Sequence, residues 1–233
     1  MDIYYLILVA PTLLLSLIAQ FMVKSTFSKY SKVPCSKGVT GTAAASLLLR
    51  SNNINDVHIE PVAGSLTDHY SPSDKKLRLS EPVYSASTLS AVGVAAHETG
   101  HAIQHARKWA PLVLRSTLVP VANIGSQFGP ILAIAGLGFA AGDSLSFLSS
   151  LLFNLGIILF SGAVLFYVIT LPVEFNASNR AIAILRSNNV LSNEELKGVR
   201  KVLNAAALTY VASALTAVAN LLRLILLSRS RLR

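Results

Sequence analysis

Hydrophobic positions in this chain gather into long unbroken runs, not into the short alternating or every-third-residue patterns of a soluble domain. The first run, YYLILVAPTLLLSLIAQFMV from Tyr4 to Val23, carries no charge. It matches the ~20 residues needed to cross a bilayer. A second apolar region, Ser116–Asn179, contains no Lys or Arg, and its only acidic residues are Asp143 and Glu174. AAGDSLS (140–146) reads as a turn that divides it into Leu118–Ala141 and Phe147–Leu171, each long enough to span. Pro120, Gly125, Gly129 and Pro130 are better tolerated in membrane helices than in soluble ones. Residues 118–171 therefore predict a membrane hairpin. The last run, Ala205–Leu227, is ambiguous. It could span, but a helix lying in the interface or packed on a soluble domain keeps Arg229, Arg231 and Arg233 with the other basic residues, and that is the favoured expectation.

The stretches between the runs have ordinary periodicities. GTAAASLLLRSNN (41–53) predicts a helix and VHIEPVAG (57–64) an extended segment. SPSD (71–74) is a turn signal, and KLRLS (76–80) alternates like a half-buried strand. A serine within Ser85–Ser87 is placed to cap a long helix, 87–109. EFNASNRAIAILRSNN (174–189) has helical spacing, and SNEE (192–195) is a capping box. The expected organisation is a spanning helix at 4–23, one piece of a domain at 24–117, the hairpin, a second piece at 172–204, and an apolar helix with a basic tail at 205–233. The fold class is mainly α, with a small sheet and three or four transmembrane helices.

Composition agrees with this picture. Of 233 residues, 52% are hydrophobic and 13% charged, against roughly 25% charged in a soluble domain. The net charge of +9 is explained by distribution. Lys24–Arg115 holds 11 of the 20 basic residues and Arg180–Arg233 holds the other 9. One orientation places both pieces on the same side, which the positive-inside rule makes the cytoplasm, with the N-terminus outside. The lysines follow the first apolar run and do not precede it, the flank pattern of a retained helix and not of a cleaved signal. A nucleic-acid partner is excluded: the charge follows topology and forms no aromatic-interleaved basic patch. A single cysteine, Cys35, allows no intrachain disulfide.

Candidate chemistry lies in AAHETGHAIQHA (95–106). His97 and His101 are at i and i+4, so a helix puts both on one face within reach of one ion. Imidazole suits Zn²⁺. With Glu98 this is H-E-x-x-H, a metalloprotease signature in which the glutamate takes a proton from the attacking water. The surrounding Ser85–Ala96 is uncharged, which predicts a buried helix, and buried imidazoles and carboxylates are costly unless paired. His105 is not a third ligand: it lies ~12 Å along the helix from His97, and two ligands of one zinc lie within ~4 Å. It is expected instead to be a polar residue near the membrane surface. Glu174 is the leading candidate for the third ligand, with Asp68, Glu60, Glu81 and His69 behind it.

The stretches 66–106, LTDHYSPSDKKLRLSEPVYSASTLSAVGVAAHETGHAIQHA, and 171–185, LPVEFNASNRAIAIL, resemble the YugP-type neutral zinc metallopeptidases. These are membrane relatives of the HtpX-type and CAAX prenyl proteases. The first span and the hairpin are also similar, so the resemblance covers nearly the whole chain. It implies a gluzincin-like α+β protease domain with His97, His101 and Glu174 as zinc ligands and Glu98 as the catalytic base. It implies an edge strand near Lys76–Ser80 that pairs with an extended substrate. It also implies protein or peptide substrates at the lipid bilayer, and a location in the plasma membrane of a prokaryote. One position departs: the HtpX-like relatives carry an aspartate four residues after the ligand glutamate, and here that residue is Ser178. Asn176, Ser178 or a backbone carbonyl is then left to orient the zinc histidines. His69, Tyr70 and Tyr210 are the candidates for stabilising an oxyanion. A zinc hydrolase of a non-peptide amide and a non-catalytic membrane scaffold are the alternatives.

Overall fold

The computed structural model describes residues 2–139 and 146–231. Nearly all of the expected turn at 140–146 lies outside the described residues. A π-helical opening, Tyr5–Val9, leads into α1 (Ala10–Tyr30). Then follow α2 (Gly41–Ser51), β1 (His58–Val62), β2 (His69–Ser71), β3 (Lys76–Ser80), α3 (Glu81–Tyr84), α4 (Leu89–Ala106), α5 (Ala110–Phe139), α6 (Ser146–Ser187) and α7 (Asn193–Arg231). Four helical stretches are long and apolar enough to cross a membrane: Tyr5–Tyr30, Ala110–Gly138, Phe147–Ser187 and Asn193–Ser230. Their most apolar windows are only 11–28% buried, and Leu14, Leu17, Phe21, Ile131 and Ile158 are exposed. Apolar surface on this scale is what lipid contact requires. The chain is a mainly α membrane protein with one small sheet.

The chain divides into two units. The first comprises Met1–Ile18, Leu114–Leu171 and Tyr210–Arg233. Its core joins Ala133 of α5 and Phe160, Ala163 and Val164 of α6 to Ala217 and Leu224 of α7. Small residues bring the backbones close, as is common between helices in lipid. A Cβ at Gly156 would lie 2.4 Å from the Ala133 nitrogen. Ser149 donates a 2.7 Å hydrogen bond to the Gly136 carbonyl. Arg223 of α7 pairs with Asp2 (Nη2–Oδ2 2.7 Å) and lies over the Tyr5 ring.

The second unit comprises Ala19–Val113 and Pro172–Thr209. Helix α4 is its axis, with 13 of 18 residues buried. One cluster packs Leu89, Val92 and Ala96 against Leu48, Ala181, Leu185, Val199 and Leu203. A second packs Ala91 and Ala95 against Leu77, Leu79, Val83 and Phe27. The alternation in KLRLS is realised: Leu77 and Leu79 are fully buried, while Lys76 and Arg78 point out to pair with Glu60. The capping box forms as expected, with the Ser192 N–H donating to Glu195 and the Glu195 N–H to Ser192 Oγ.

Three local expectations are corrected. Strand β3 is not an edge. The order is β1-β3-β2, with β1 parallel and β2 antiparallel to β3, so the edge nearer the histidine motif is β2. The cap of α4 is Thr88, whose hydroxyl accepts from the Ala91 N–H. Ser85 instead closes α3, and Ser87 is tied outside the helix, because the Ala86 and Ser87 carbonyls accept from Gly41 and Cys35 and Pro34 bridges Thr88. The helix ends at Ala106, where Lys108 turns into the left-handed region (φ 46°) and Trp109 N–H returns to the Gln104 carbonyl. Finally, no new helix opens at Glu174. Helix α6 runs unbroken through Pro172 to Ser187.

Candidate metal centre

The site is built from two helices of the second unit. On α4, His97 and His101 stand one turn apart with ring centroids 4.8 Å apart. On α6, Glu174 presents its carboxylate between them. Glu174 Oε2 lies 3.2 Å from His97 Nε2 and 3.5 Å from His101 Nε2. Glu174 is 2% exposed and His101 9%. The approach of the two helices depends on Gly100, since a Cβ there would lie 2.7 Å from the Ala177 carbonyl. The glycine inside HETGH is thus what lets α6 bring Glu174 up to the histidines.

Each imidazole has a partner on its other nitrogen. His97 Nδ1 is 3.0 Å from Ser178 Oγ. His101 Nδ1 is 3.1 Å from Gln104 Oε1. The Gln104 amide cannot turn over, because its Nε2 already donates to the Val173 carbonyl (2.8 Å) and Asn176 Oδ1 (3.0 Å). Asn176 Oδ1 is fixed in turn by a 2.6 Å bond from Arg180 Nε. Gln104 Oε1 therefore accepts, and His101 Nδ1 carries a proton. That leaves Nε2 as the atom facing Glu174. Two imidazoles and a carboxylate converging in this way need a cation, either a proton on an imidazole or a metal.

The donor set fits a metal. His97, His101 and Glu174 each offer one ligand atom, all within 4.8 Å of one another. Ligands at ~2.1 Å from a tetrahedral zinc lie about 3.4 Å apart, close to the 3.2 and 3.5 Å found here. The histidine–acceptor pairs are the outer contacts that fix metal-binding imidazoles. Without metal, burial opposes charge on His101, but the hydrogen bond to Glu174 and the nearby Glu98 charge outweigh it and hold its pKa above the ordinary value.

Glu98 is partly buried, and its Oε2 accepts from the Tyr70 N–H of β2 at 3.2 Å. Burial pushes its pKa up, and the neighbouring His97 and His101 only offset this in part. His105 turns away from the triad to Tyr70, with Nδ1 2.8 Å from the phenol oxygen. Burial raises the Tyr70 pKa to about 12, so the phenol stays protonated at any ordinary pH. The remaining ligand candidates are engaged elsewhere. Asp68 accepts from the Ser80 N–H and hydroxyl, and Glu60 pairs with Lys76 and Arg78. His69 is exposed with Nδ1 2.8 Å from the Thr67 carbonyl, and Glu81 is an exposed first-turn residue of α3. Gln104 is the contact that sequence reading missed. Its signal was position: it stands three residues after His101, on the same helix face.

Residues 5–229 match the family described as "Putative neutral zinc metallopeptidase", and the chain belongs to that family of zinc peptidases. It is 50% identical over 224 residues to the "Putative membrane protease YugP" of Bacillus subtilis, covering 96% of both chains. No solved structure matches it.

Proposed function

We propose that the protein is an integral membrane zinc endopeptidase of the gluzincin type, with His97, His101 and Glu174 holding the metal and Glu98 as general base. The observation that carries this is the convergence of both histidine Nε2 atoms on one Glu174 oxygen, each ring held by a hydrogen-bonding partner on Nδ1. Zinc in such a site supplies a Lewis acid that lowers the pKa of a bound water to ~7 and polarises the scissile carbonyl.

Glu98 takes the proton of the attacking water and delivers it to the leaving amine. Its raised pKa suits both halves of that transfer. Gln104 keeps His101 in the tautomer whose Nε2 is free to bind, and Ser178 holds the His97 ring with its Nε2 turned inward. The Tyr70 N–H lies on the outer side of edge strand β2, beside Glu98, where an extended peptide backbone would add as a further strand. This favours a peptide over a lipid amide as substrate. The distribution of Lys and Arg supports an active site facing the cytoplasm, and the similarity to a Bacillus membrane protease supports the plasma membrane of a prokaryote, with substrates that are membrane proteins or segments leaving the bilayer.

The test is the zinc content of detergent-purified protein, then cleavage of casein. Wild type and His105→Ala should retain one equivalent of zinc, and Glu174→Ala should lose it. Glu98→Gln should keep zinc and lose cleavage. Retained zinc in Glu174→Ala would overturn the ligand set. Full cleavage by Glu98→Gln would overturn the assigned base.

A further inference from the structure

A second feature of this unit owes nothing to the metal centre. A cavity of about 360 Å³ opens between α1 and α7, lined by Met22, Thr26, Lys29, Tyr30, Lys201 and Asn204, with Ala205 beneath. This volume falls in the range of small-ligand sites. Its lining contains two ammonium groups and no carboxylate. Among the described residues neither lysine has an ion-pair partner, and the side chains of Thr26 and Asn204 make no hydrogen bond. The nearby acids of α7 are already taken: Glu194 pairs with Lys197, and Glu195 accepts from the Ser36 and Ser192 N–H groups. The Tyr30 ring closes one side by lying against α7 at Gly198, where a Cβ would be 2.9 Å from it.

The depth of the cavity is given twice over. On α1 the uncharged run ends at Val23 and the lysines begin at Lys24; on α7 the charges end at Lys201 and the next is Arg223. The two polarity boundaries meet at this cavity, with Met22 and Ala205 on the apolar side and both lysines on the polar side. That is the level of lipid phosphates. A single anion in the cavity would pair with both ammonium groups. Basic pockets of this kind between membrane helices take anionic headgroups.

We infer that this cavity binds the phosphate of an anionic phospholipid, held by Lys29 and Lys201 with Thr26 and Asn204 as hydrogen-bonding partners. Full-length protein in neutral detergent is titrated with dioctanoyl phosphatidylglycerol while its melting temperature is followed. Dioctanoyl phosphatidylcholine and inorganic phosphate are added at matched concentrations in parallel. Phosphatidylglycerol should raise the melting temperature and the other two should not. Each lysine near an anionic headgroup contributes about five-fold in affinity. Lys29→Gln with Lys201→Gln should therefore shift the midpoint about 30-fold, while Lys24→Gln with Lys32→Gln should leave it in place. If the first double variant fails to fold, the pair Lys29→Arg with Lys201→Arg should retain the response and Lys201→Gln alone should weaken it. Equal responses in the two glutamine pairs would mean diffuse charge attraction and overturn the site. A response to phosphatidylcholine equal to that of phosphatidylglycerol would overturn headgroup recognition. An equal shift with inorganic phosphate would point to a soluble phosphate ligand and overturn the lipid.

Discussion

The two units solve the same problem, close approach of helices, with opposite materials. In the first unit, backbones meet at Gly156 and Gly136, and almost every side chain around them is apolar. In the second, α4 and α6 meet at Gly100, and what the contact buries is polar: His101, Gln104 and Glu174. A glycine contact between apolar helices contributes packing alone. The Gly100 contact also aligns three candidate ligand atoms and two supporting hydrogen bonds, so an error of an ångström there is chemical as well as steric.

The comparison can be tested step by step, from the largest effect downward. Glu98→Gln should lower cleavage by about 10²–10⁴-fold while zinc content and melting temperature stay at wild-type values, which steady-state kinetics and metal analysis would show. Gln104→Ala should weaken zinc binding by about 10–100-fold, measured by competition with a chelator. Ser178→Ala should cost less, because Ser178 has no other role in the network, and Ser178→Asp should tighten binding by giving His97 an ionised acceptor. Gly100→Ala and Gly156→Ala should each destabilise by about 1–3 kcal/mol, but only Gly100→Ala should also lower zinc affinity. Equal loss of zinc affinity in both would erase the distinction between the units.

Acidity provides a further separation. His101 in the metal-free protein has a pKa raised above 6.5. Its charge contributes stability that is complete below 6.5 and disappears as pH rises through the raised value. Chelator-treated protein should therefore melt higher as pH falls through that window. Zinc-loaded protein should melt lower over the same window, because protons compete for the ligand. Calorimetry of both forms between pH 6 and 8 would check the opposite signs.

Much of this was legible along the chain. The i, i+4 histidines, the strand Lys76–Ser80 and the Ser192–Glu195 cap depend on local spacing, and each formed where the pattern put it. Strand order was not legible, because nothing in KLRLS reveals that it has neighbours on both sides. The hairpin was expected to end at Leu171 and a separate helical segment to follow at 174–189, yet α6 continues through both. Asn176 and Ser178 were named as possible supports for the histidines, and Ser178 does reach His97. Gln104 stayed hidden because two of its three partners, the Val173 carbonyl and Asn176, come from a helix 69–72 residues away. A network of that kind exists only once the chain has folded. The last apolar run was ambiguous: it could span, and its arginines favoured a helix lying in the interface or packed on the soluble domain. Helix α7 packs Ala217 and Leu224 in one cluster with Ala133, Phe160, Ala163 and Val164 of the hairpin helices, and its Arg223 pairs with Asp2, contacts that suit a spanning helix. We expect reporters fused at residues 1 and 233 to appear on the same side of the membrane; opposite sides would return α7 to the interface.

The Asp2–Arg223 pair also has a meaning in time. Its members are 221 residues apart, so at roughly 5–20 residues per second the ribosome needs about 10–45 s between them. Throughout that interval the nascent chain has a bare carboxylate ahead of its first apolar helix. Any chain that stops short of Arg223 keeps it. The ion pair thus closes only long after the first apolar helix has been made.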